Sequence, residues 1–377
     1  MGKARGFPIS GGSVSDKETS GVGRRDFLKV CTMAAAAVGL SASTGRAWAE
    51  AAAKGLKPSV IWLHFQECTG CTESLLRTSH PKVAELILDL ISLDYHETLF
   101  AAAGHQAEDA LKAAMEKGAG KYICVVEGGI PTKDGGIYCQ IAGRTALDML
   151  KEVADKAGAI IAIGSCASWG GIQAADPNPT GAKGAPQILE GKTVVSIPGC
   201  PPNPYNFLGV ALQYATFGTL PALDKLGRPM FGYGRVIHED CPRRPHFDAG
   251  RFVQQFGDEG HRLGYCLYKV GCKGPVTHAN CSIQDFGEIP GVWPVGIGHP
   301  CVGCTEQAIL WQLPIAATVE IEHPTPPALY PPISPEHGGV SPVATGVAGL
   351  VGGALIGAGI VASKKLMAEG KATTKEE

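Results

Sequence analysis

Between Ser59 and Ile197, short runs of continuously apolar residues alternate with longer stretches of mixed polarity. Ser59–Phe65, Lys121–Val126, Ala159–Ile163 and Thr193–Ile197 are four such runs, rich in β-branched residues and too short for helices. Strands buried on both faces read this way. Gln106–Lys117 and Ile141–Ala157 carry helical periodicity, and Ser74–Leu93 holds a helix with a second strand at its end. Strands of this kind separated by helices predict a parallel sheet covered on both faces, a flavodoxin-like doubly wound α/β domain over residues 50–232. Beyond residue 232 the regular pattern fades. Residues 233–322 are rich in Gly, Pro and aromatics, with short helices such as Ala249–Phe256.

The two ends have patterns of their own. Residues 1–49 read as an export signal: Arg24-Arg25-Asp26-Phe27-Leu28-Lys29 is a twin-arginine motif, Val30–Ala42 is apolar and alanine-rich, and Ala47-Trp48-Ala49 is a small-x-small cleavage site. A proline-rich linker, residues 323–341, leads to a predicted transmembrane helix over 342–363. Its apolar part, Val343–Ala362, has 20 apolar or small residues and no charge, about 30 Å as a helix, which matches a bilayer core. Lys364, Lys365, Lys371 and Lys375 in the tail 364–377 predict a cytoplasmic end, with the body on the periplasmic side of the inner membrane. Gly349, Gly353 and Gly357 would line a close-packing helix face.

Net charge is −2 over 377 residues, which gives no reason to expect nucleic acid as a partner. Thirteen cysteines change the picture. Cys68/Cys71 and Cys301/Cys304 are Cys-x-x-Cys pairs, and His238/Cys241 has the same spacing with an imidazole in place of one thiol. Soft thiolates suit zinc and iron–sulfur clusters. Ligands in open α/β sheets bind beyond the carboxyl ends of the strands. Cys68 and Cys71 follow the first strand, Cys166 follows another, and Cys200 follows the last, so the four should converge on one [4Fe–4S] cluster. His238, Cys241, Cys266, Cys272, Cys281, Cys301 and Cys304 remain, seven ligands that divide as four plus three. Spacing alone does not assign them. Pro294 is a candidate for the place of a missing fourth ligand in the three-ligand set. A disulfide-rich exported protein would explain an even cysteine count without Cys31 of the signal. A structural zinc protein would explain the pairs but not the three-ligand remainder.

The motifs together resemble the small subunit of membrane-bound nickel–iron hydrogenases, of the quinone-linked uptake, hydrogenase-2-like subclass. The resemblance runs through Glu67-Cys-Thr-Gly-Cys-Thr-Glu-Ser74, Gly164-Ser-Cys-Ala167, Pro198-Gly-Cys-Pro-Pro-Asn-Pro204, Arg235–Asp248, Gly271-Cys-Lys-Gly-Pro275 and Trp293–Cys304. It implies a proximal [4Fe–4S] cluster on Cys68, Cys71, Cys166 and Cys200. It implies a distal [4Fe–4S] cluster on His238, Cys241, Cys266 and Cys272, and a medial [3Fe–4S] cluster on Cys281, Cys301 and Cys304. Cys124 and Cys139 have no part in that pattern. The resemblance implies no catalytic residue in this chain, since the Ni–Fe centre belongs to a large subunit. Glu67 is a candidate proton relay at the junction with that subunit. Further implied partners are an integral membrane quinone-reactive or cytochrome b-type subunit and a ferredoxin-like subunit. Oxygen-tolerant relatives carry two extra cysteines at positions matching Gly70 and Gly171, which implies an oxygen-sensitive enzyme here. A related electron-transfer subunit of a quinone-reducing respiratory complex would share the first domain but lack the His238–Cys304 set.

Overall fold

The computed structural model describes residues 32, 35, 41–53, 57–78, 82–284, 291–321 and 326. All of the described residues fall within one compact unit. The twin-arginine motif, nearly all of the linker, the predicted span 342–363 and the tail lie outside the described residues. Among the described residues no helix is long and apolar enough to cross a membrane.

Five strands make one parallel sheet: β1 (Ser59–His64), β2 (Ser92–His96), β3 (Ile123–Glu127), β4 (Ala159–Ile163) and β5 (Val194–Ile197). Their order is β2-β1-β3-β4-β5, with every pairing parallel. This is the flavodoxin-like arrangement. Strands β3, β4 and β5 are buried throughout, as their unbroken apolar runs require. Alternate residues feed two cores. Trp62, Val125, Ile161 and Val195 face one side, under helix Pro204–Phe217; Leu63, Val126, Ile160 and Val194 face the other, under helices His105–Lys117 and Ala146–Asp155.

Several elements differ from the sequence expectation. The helix expected from Ile141 starts at Ala146, where Thr145 Oγ1 accepts the Asp148 N–H. The preceding residues instead form a small hairpin, Gln140–Ile141 against Arg144–Thr145, with Ala142 and Gly143 both at positive φ, as a tight hairpin turn requires. Ala249–Phe256 is not helical. The helix is Arg244–Asp248, ended by Gly250 at φ +68°, and Phe252 bridges to Cys266. The hydrophobic pattern does not mark the 14-residue helix Pro204–Phe217 or the short helix Gly164–Trp169. A helix over Ala42–Ala53 runs through the predicted cleavage site. Its Trp48 is buried in the core cluster that also contains the Pro204–Phe217 helix, while the indole N–H has no partner among the described residues.

Among the described residues of 233–321 there are only short helical turns and isolated bridges such as Val236–His278. Their core contains Ile237, Val253, Leu267, Trp293 and Val295 together with Cys241, Cys272 and Cys301. A core this small with thiols among its members is of the kind that metal ligation completes. Several polar joints tie it to the sheet domain. Ser165 Oγ donates to the Cys304 carbonyl, Asn280 Nδ2 donates to Asn206 Oδ1 at 3.0 Å, and Arg228 pairs with Glu306 at 2.8 Å.

Candidate electron-transfer site

The carboxyl ends of the strands bring the first four cysteines together. Cys68 and Cys71 lie at the turn entering helix Gly70–Leu76 after β1, Cys166 in helix Gly164–Trp169 after β4, and Cys200 just past β5. Burial raises the thiol of Cys71 well above its ordinary value, with Glu127, Cys166, Cys200 and Cys68 adding to it. Burial, then Cys200 and Cys68, holds Cys166 at about 11. Burial and Cys68 raise Cys200. The four sulfurs therefore neighbour one another. Two glycines make room for them. A side chain at Gly164 (φ +83°) would run into Cys71 Sγ, and one at Gly171 (φ +57°) would meet Cys166 Sγ at 2.5 Å. A Cβ at Gly70 would stand 3.1 Å from Cys68 Sγ. Cys68 and Cys200 are exposed, so this edge opens outward.

His238, Cys241, Cys266 and Cys272 line one cavity with Arg243, Arg244 and Tyr268. The His238 ring is buried, edge-on to Phe247 at 4.5 Å. Burial, offset by an N–H bond from Arg243 and augmented by Cys272 and Cys266, takes Cys241 to about 12. Burial raises Cys272, although Gly274 and Cys301 both donate N–H bonds to its sulfur at 3.4 Å.

The last three cysteines stand between these groups. Cys281 neighbours Cys304; Cys301 neighbours Cys272 and Cys304; Cys304 neighbours Cys200. Cys200, Cys304, then Cys281 and Cys301, then Cys272 are thus successive neighbours. Pro294 is exposed between buried Trp293 and Val295. Cys124 is buried in β3, and Cys139 is half-buried. No described cysteine is in a disulfide.

Among the described residues no three His, Cys, Asp or Glu side chains close on a point as one metal ion requires. A cluster asks something different, because each thiolate binds its own iron. The donor set fits such a group. Buried neighbouring thiols stay protonated until a metal takes the proton's place, and backbone N–H groups already aim at several of the sulfurs. Hydrogen bonds to sulfur are among the means by which a protein tunes a cluster.

A buried polar network, unforeseen in the sequence, backs the first four cysteines. Glu127 closes β3, and its carboxylate is 1% exposed. It accepts the N–H groups of Cys71 (3.0 Å) and Thr72 (3.2 Å), the Trp62 indole (2.9 Å) and the Thr72 hydroxyl (2.6 Å). The Thr72 hydroxyl is thereby a donor, so it accepts from His96 Nε2 at 3.3 Å. His96 Nδ1 accepts from the Thr98 and Leu99 amides, and from His64 Nε2 at 3.2 Å. His64 Nδ1 then faces Glu67 Oε1 at 3.4 Å, a contact that needs one proton between the two groups. Burial, then Glu127, raises the Glu67 carboxyl. Burial and His64 push His96 down to about 3, in line with its acceptor role. A lone carboxylate ending an apolar strand, before Gly128-Gly129, was the signal in the sequence for Glu127.

Known proteins give the same picture. Residues 68–214 match the family "NADH ubiquinone oxidoreductase, 20 Kd subunit", and residues 233–315 match the C-terminal family of the "NiFe/NiFeSe hydrogenase small subunit". The second match separates the chain from a respiratory-complex subunit that shares only the first domain. The chain is 52% identical over 348 residues to the hydrogenase-2 small chain of Escherichia coli K12, covering 92% of each. It is 50% identical over 291 residues to the quinone-reactive Ni/Fe-hydrogenase small chain of Wolinella succinogenes, covering 77% of this chain and 82% of that one. Among solved structures, the reduced, active Ni-Fe-Se hydrogenase of Desulfomicrobium baculatum superposes with a TM-score of 0.61 at 35% identity, covering 67% of this chain and 95% of that one. The chain belongs to the nickel–iron hydrogenase small subunits, the iron–sulfur electron-transfer subunits that pair with a hydrogenase large subunit.

Proposed function

We propose that this chain carries electrons from hydrogen oxidised in the large subunit, through three iron–sulfur clusters in series, toward the membrane quinone pool. The succession of neighbouring sulfurs from Cys200 through Cys304 and Cys301 to Cys272, where the Cys301 N–H meets Cys272 Sγ at 3.4 Å, carries this reading. Cys68, Cys71, Cys166 and Cys200 would hold a proximal [4Fe–4S] cluster. Cys281, Cys301 and Cys304 would hold a medial [3Fe–4S] cluster, and His238, Cys241, Cys266 and Cys272 a distal [4Fe–4S] cluster. When bound, such clusters supply one-electron carriers. The protein's part is to fix their order and to leave the Cys68 and Cys200 end accessible. Cys281, Cys301 and Cys304 lie inside the join between the two parts of the compact unit, beside Ser165 and Asn280.

The exposed edge at Cys68 and Cys200 suits the large subunit, with Glu67 and the Glu73–Arg77 ion pair (2.8 Å) beside it. Glu67, with His64 Nδ1 3.4 Å away, would pass protons across that junction. Residues 1–49 would export the protein folded, after the clusters are inserted. The domains would run 50–232 and 233–322, with linker 323–341, span 342–363 and tail 364–377. The quinone-reactive relative favours a cytochrome b-type or other quinone-reactive partner on the span, with a ferredoxin-like subunit as a further candidate.

Two experiments test this. Metal analysis of the purified heterodimer should find about eleven irons in this chain, from two four-iron clusters and one three-iron cluster; stoichiometric zinc with little iron would overturn it. Deleting Val343–Glu377 should release a soluble enzyme that reduces an artificial dye but not quinone. Retention on the membrane at high salt would overturn the anchor.

A further inference from the structure

Lys273 lies between Cys272 and Gly274, and its side chain is 2% exposed. Lysine is almost never buried to this degree without a partner for its charge. Its ammonium donates to the carbonyls of Gly271 (2.9 Å), Ile315 (2.9 Å), Pro314 (3.3 Å) and Ala317. Among the described residues it meets no carboxylate within ion-pair distance. Carbonyl dipoles can satisfy the N–H groups of a buried cation, but they bring no net negative charge. The sulfurs at this junction are those of Cys272, its chain neighbour, and Cys301, whose carbonyl accepts its backbone N–H.

The backbone ties the same residue to both sulfurs' segments. Lys273 N–H donates to the Cys301 carbonyl at 2.7 Å, and Cys301 N–H donates to Cys272 Sγ at 3.4 Å. Thr277 Oγ1 donates to the Lys273 carbonyl at 2.6 Å, and the Cys301 thiol points at the same Thr277 hydroxyl at 3.6 Å. Lys273 therefore sits at the junction of the seven-ligand set, where the four-ligand and three-ligand groups meet. Ligation by thiolates makes both groups anionic. A cation held there lacks a counter-charge only until those groups are filled.

We propose that Lys273 is a fixed positive charge at the medial–distal junction that raises the reduction potential of both clusters. This rests on the ligand assignment proposed above. A cation stabilises the more negative, reduced state of a neighbour, so its removal should favour oxidation. Electrons should then dwell less on the medial cluster, because the cation lowers the cost of placing negative charge in a dry part of the protein. The four-carbonyl cradle keeps the ammonium from swinging to solvent. It also joins the junction to residues 314–317, the stretch that leads toward the linker.

The test is an EPR-monitored redox titration of the complete heterodimer, with iron content measured on the same samples. Lys273→Gln keeps a hydrogen-bond donor without the charge, Lys273→Met removes both, and Lys273→Arg keeps the charge. In the Gln and Met variants the ratio of reduced to oxidised medial cluster at a fixed poise should fall about tenfold, equal to about 59 mV for one electron. The Arg variant should stay near native. A native potential in Lys273→Gln with full iron would overturn the proposal, since charge would then not matter. Loss of medial-cluster iron in both neutral variants would also overturn it, by making the role one of assembly. Absence of any three-iron signal in the native enzyme would instead refute the ligand assignment.

Discussion

Glu127 is the residue whose removal should most sharply expose how the proximal site is built. Helix Gly70–Leu76 has Thr69 at its N-cap in the left-handed region, with no side-chain cap of its own. Its first free N–H groups, those of Cys71 and Thr72, are taken by Glu127 from across the sheet. The carboxylate thus acts as a cap supplied by another strand. Glu127→Ala would leave two buried amides, an indole N–H and a hydroxyl without their acceptor. An orphaned buried donor costs about 1–3 kcal/mol, and loss of a helix cap about 1 kcal/mol. The hydroxyl and the indole can relax in part, so a total of about 3–5 kcal/mol is reasonable, the range for breaking a buried charged network. At 1.4 kcal/mol per tenfold, that is a rise of roughly 10²-fold to a few thousand-fold in local opening around Cys71. The assay is the rate of iron release from the purified heterodimer to a ferrous chelator, with EPR identifying the cluster lost. Glu127→Ala should lose proximal iron about 10²-fold faster or more, with medial and distal iron near the native rate; Glu127→Gln should fall between. Native-rate release in the Ala variant, or equal acceleration of all three clusters, would refute the reasoning.

Other predictions follow from the same network and its surroundings. Arg228 is 4% exposed and pairs with Asp224 (2.7 Å) and Glu306 (2.8 Å), so Arg228→Met should destabilise the chain by about 3–5 kcal/mol; an unchanged thermal inactivation temperature would contradict this. His96 has a folded-state pKa pushed from 6.5 to about 3, so the unfolded chain binds more protons between those values. Its contribution is therefore full above about pH 6.5 and is lost as pH falls toward 3, at up to about 1.4 kcal/mol per pH unit. His96→Gln should flatten the acid limb of a stability–pH curve, and an identical limb would count against the neutral-histidine assignment. With glycine at 70 and 171, no extra thiolates flank the proximal site, so hydrogen oxidation should stop in air; sustained turnover in air would contradict this.

The sheet was legible because its strands are buried on both faces and so are written as unbroken apolar runs. Ala159–Ile163 is a strand over the residues the pattern marks. The helix Pro204–Phe217 was not, because it is apolar nearly all round, with every residue from Pro204 to Leu212 buried. Without a polar face there is no 3.6-residue contrast to read. Its punctuation was there to be used: Asn203 caps it by accepting the Tyr205 N–H, Pro204 opens it and Gly218 closes it at φ +66°. The cysteines were legible because their spacing is local and their loops follow strand ends. Glu127, His64, His96 and Lys273 were not, because each gains its role only when distant segments meet. Glu127 reaches Cys71 from 56 residues away, and Lys273 reaches Ile315 from 42. The signal, span and tail are sequence readings that fall almost wholly outside the described residues.

The central claim is that the three thiols Cys281, Cys301 and Cys304 hold a middle carrier between two others. Its most direct test is EPR of the oxidised heterodimer beside a Cys301→Ala variant. The account predicts one three-iron signal in the native enzyme. In the variant that signal should vanish, while the signals of both four-iron clusters persist on reduction and electron delivery to an external acceptor collapses. A native enzyme without a three-iron signal, or a variant that keeps it, would contradict the account.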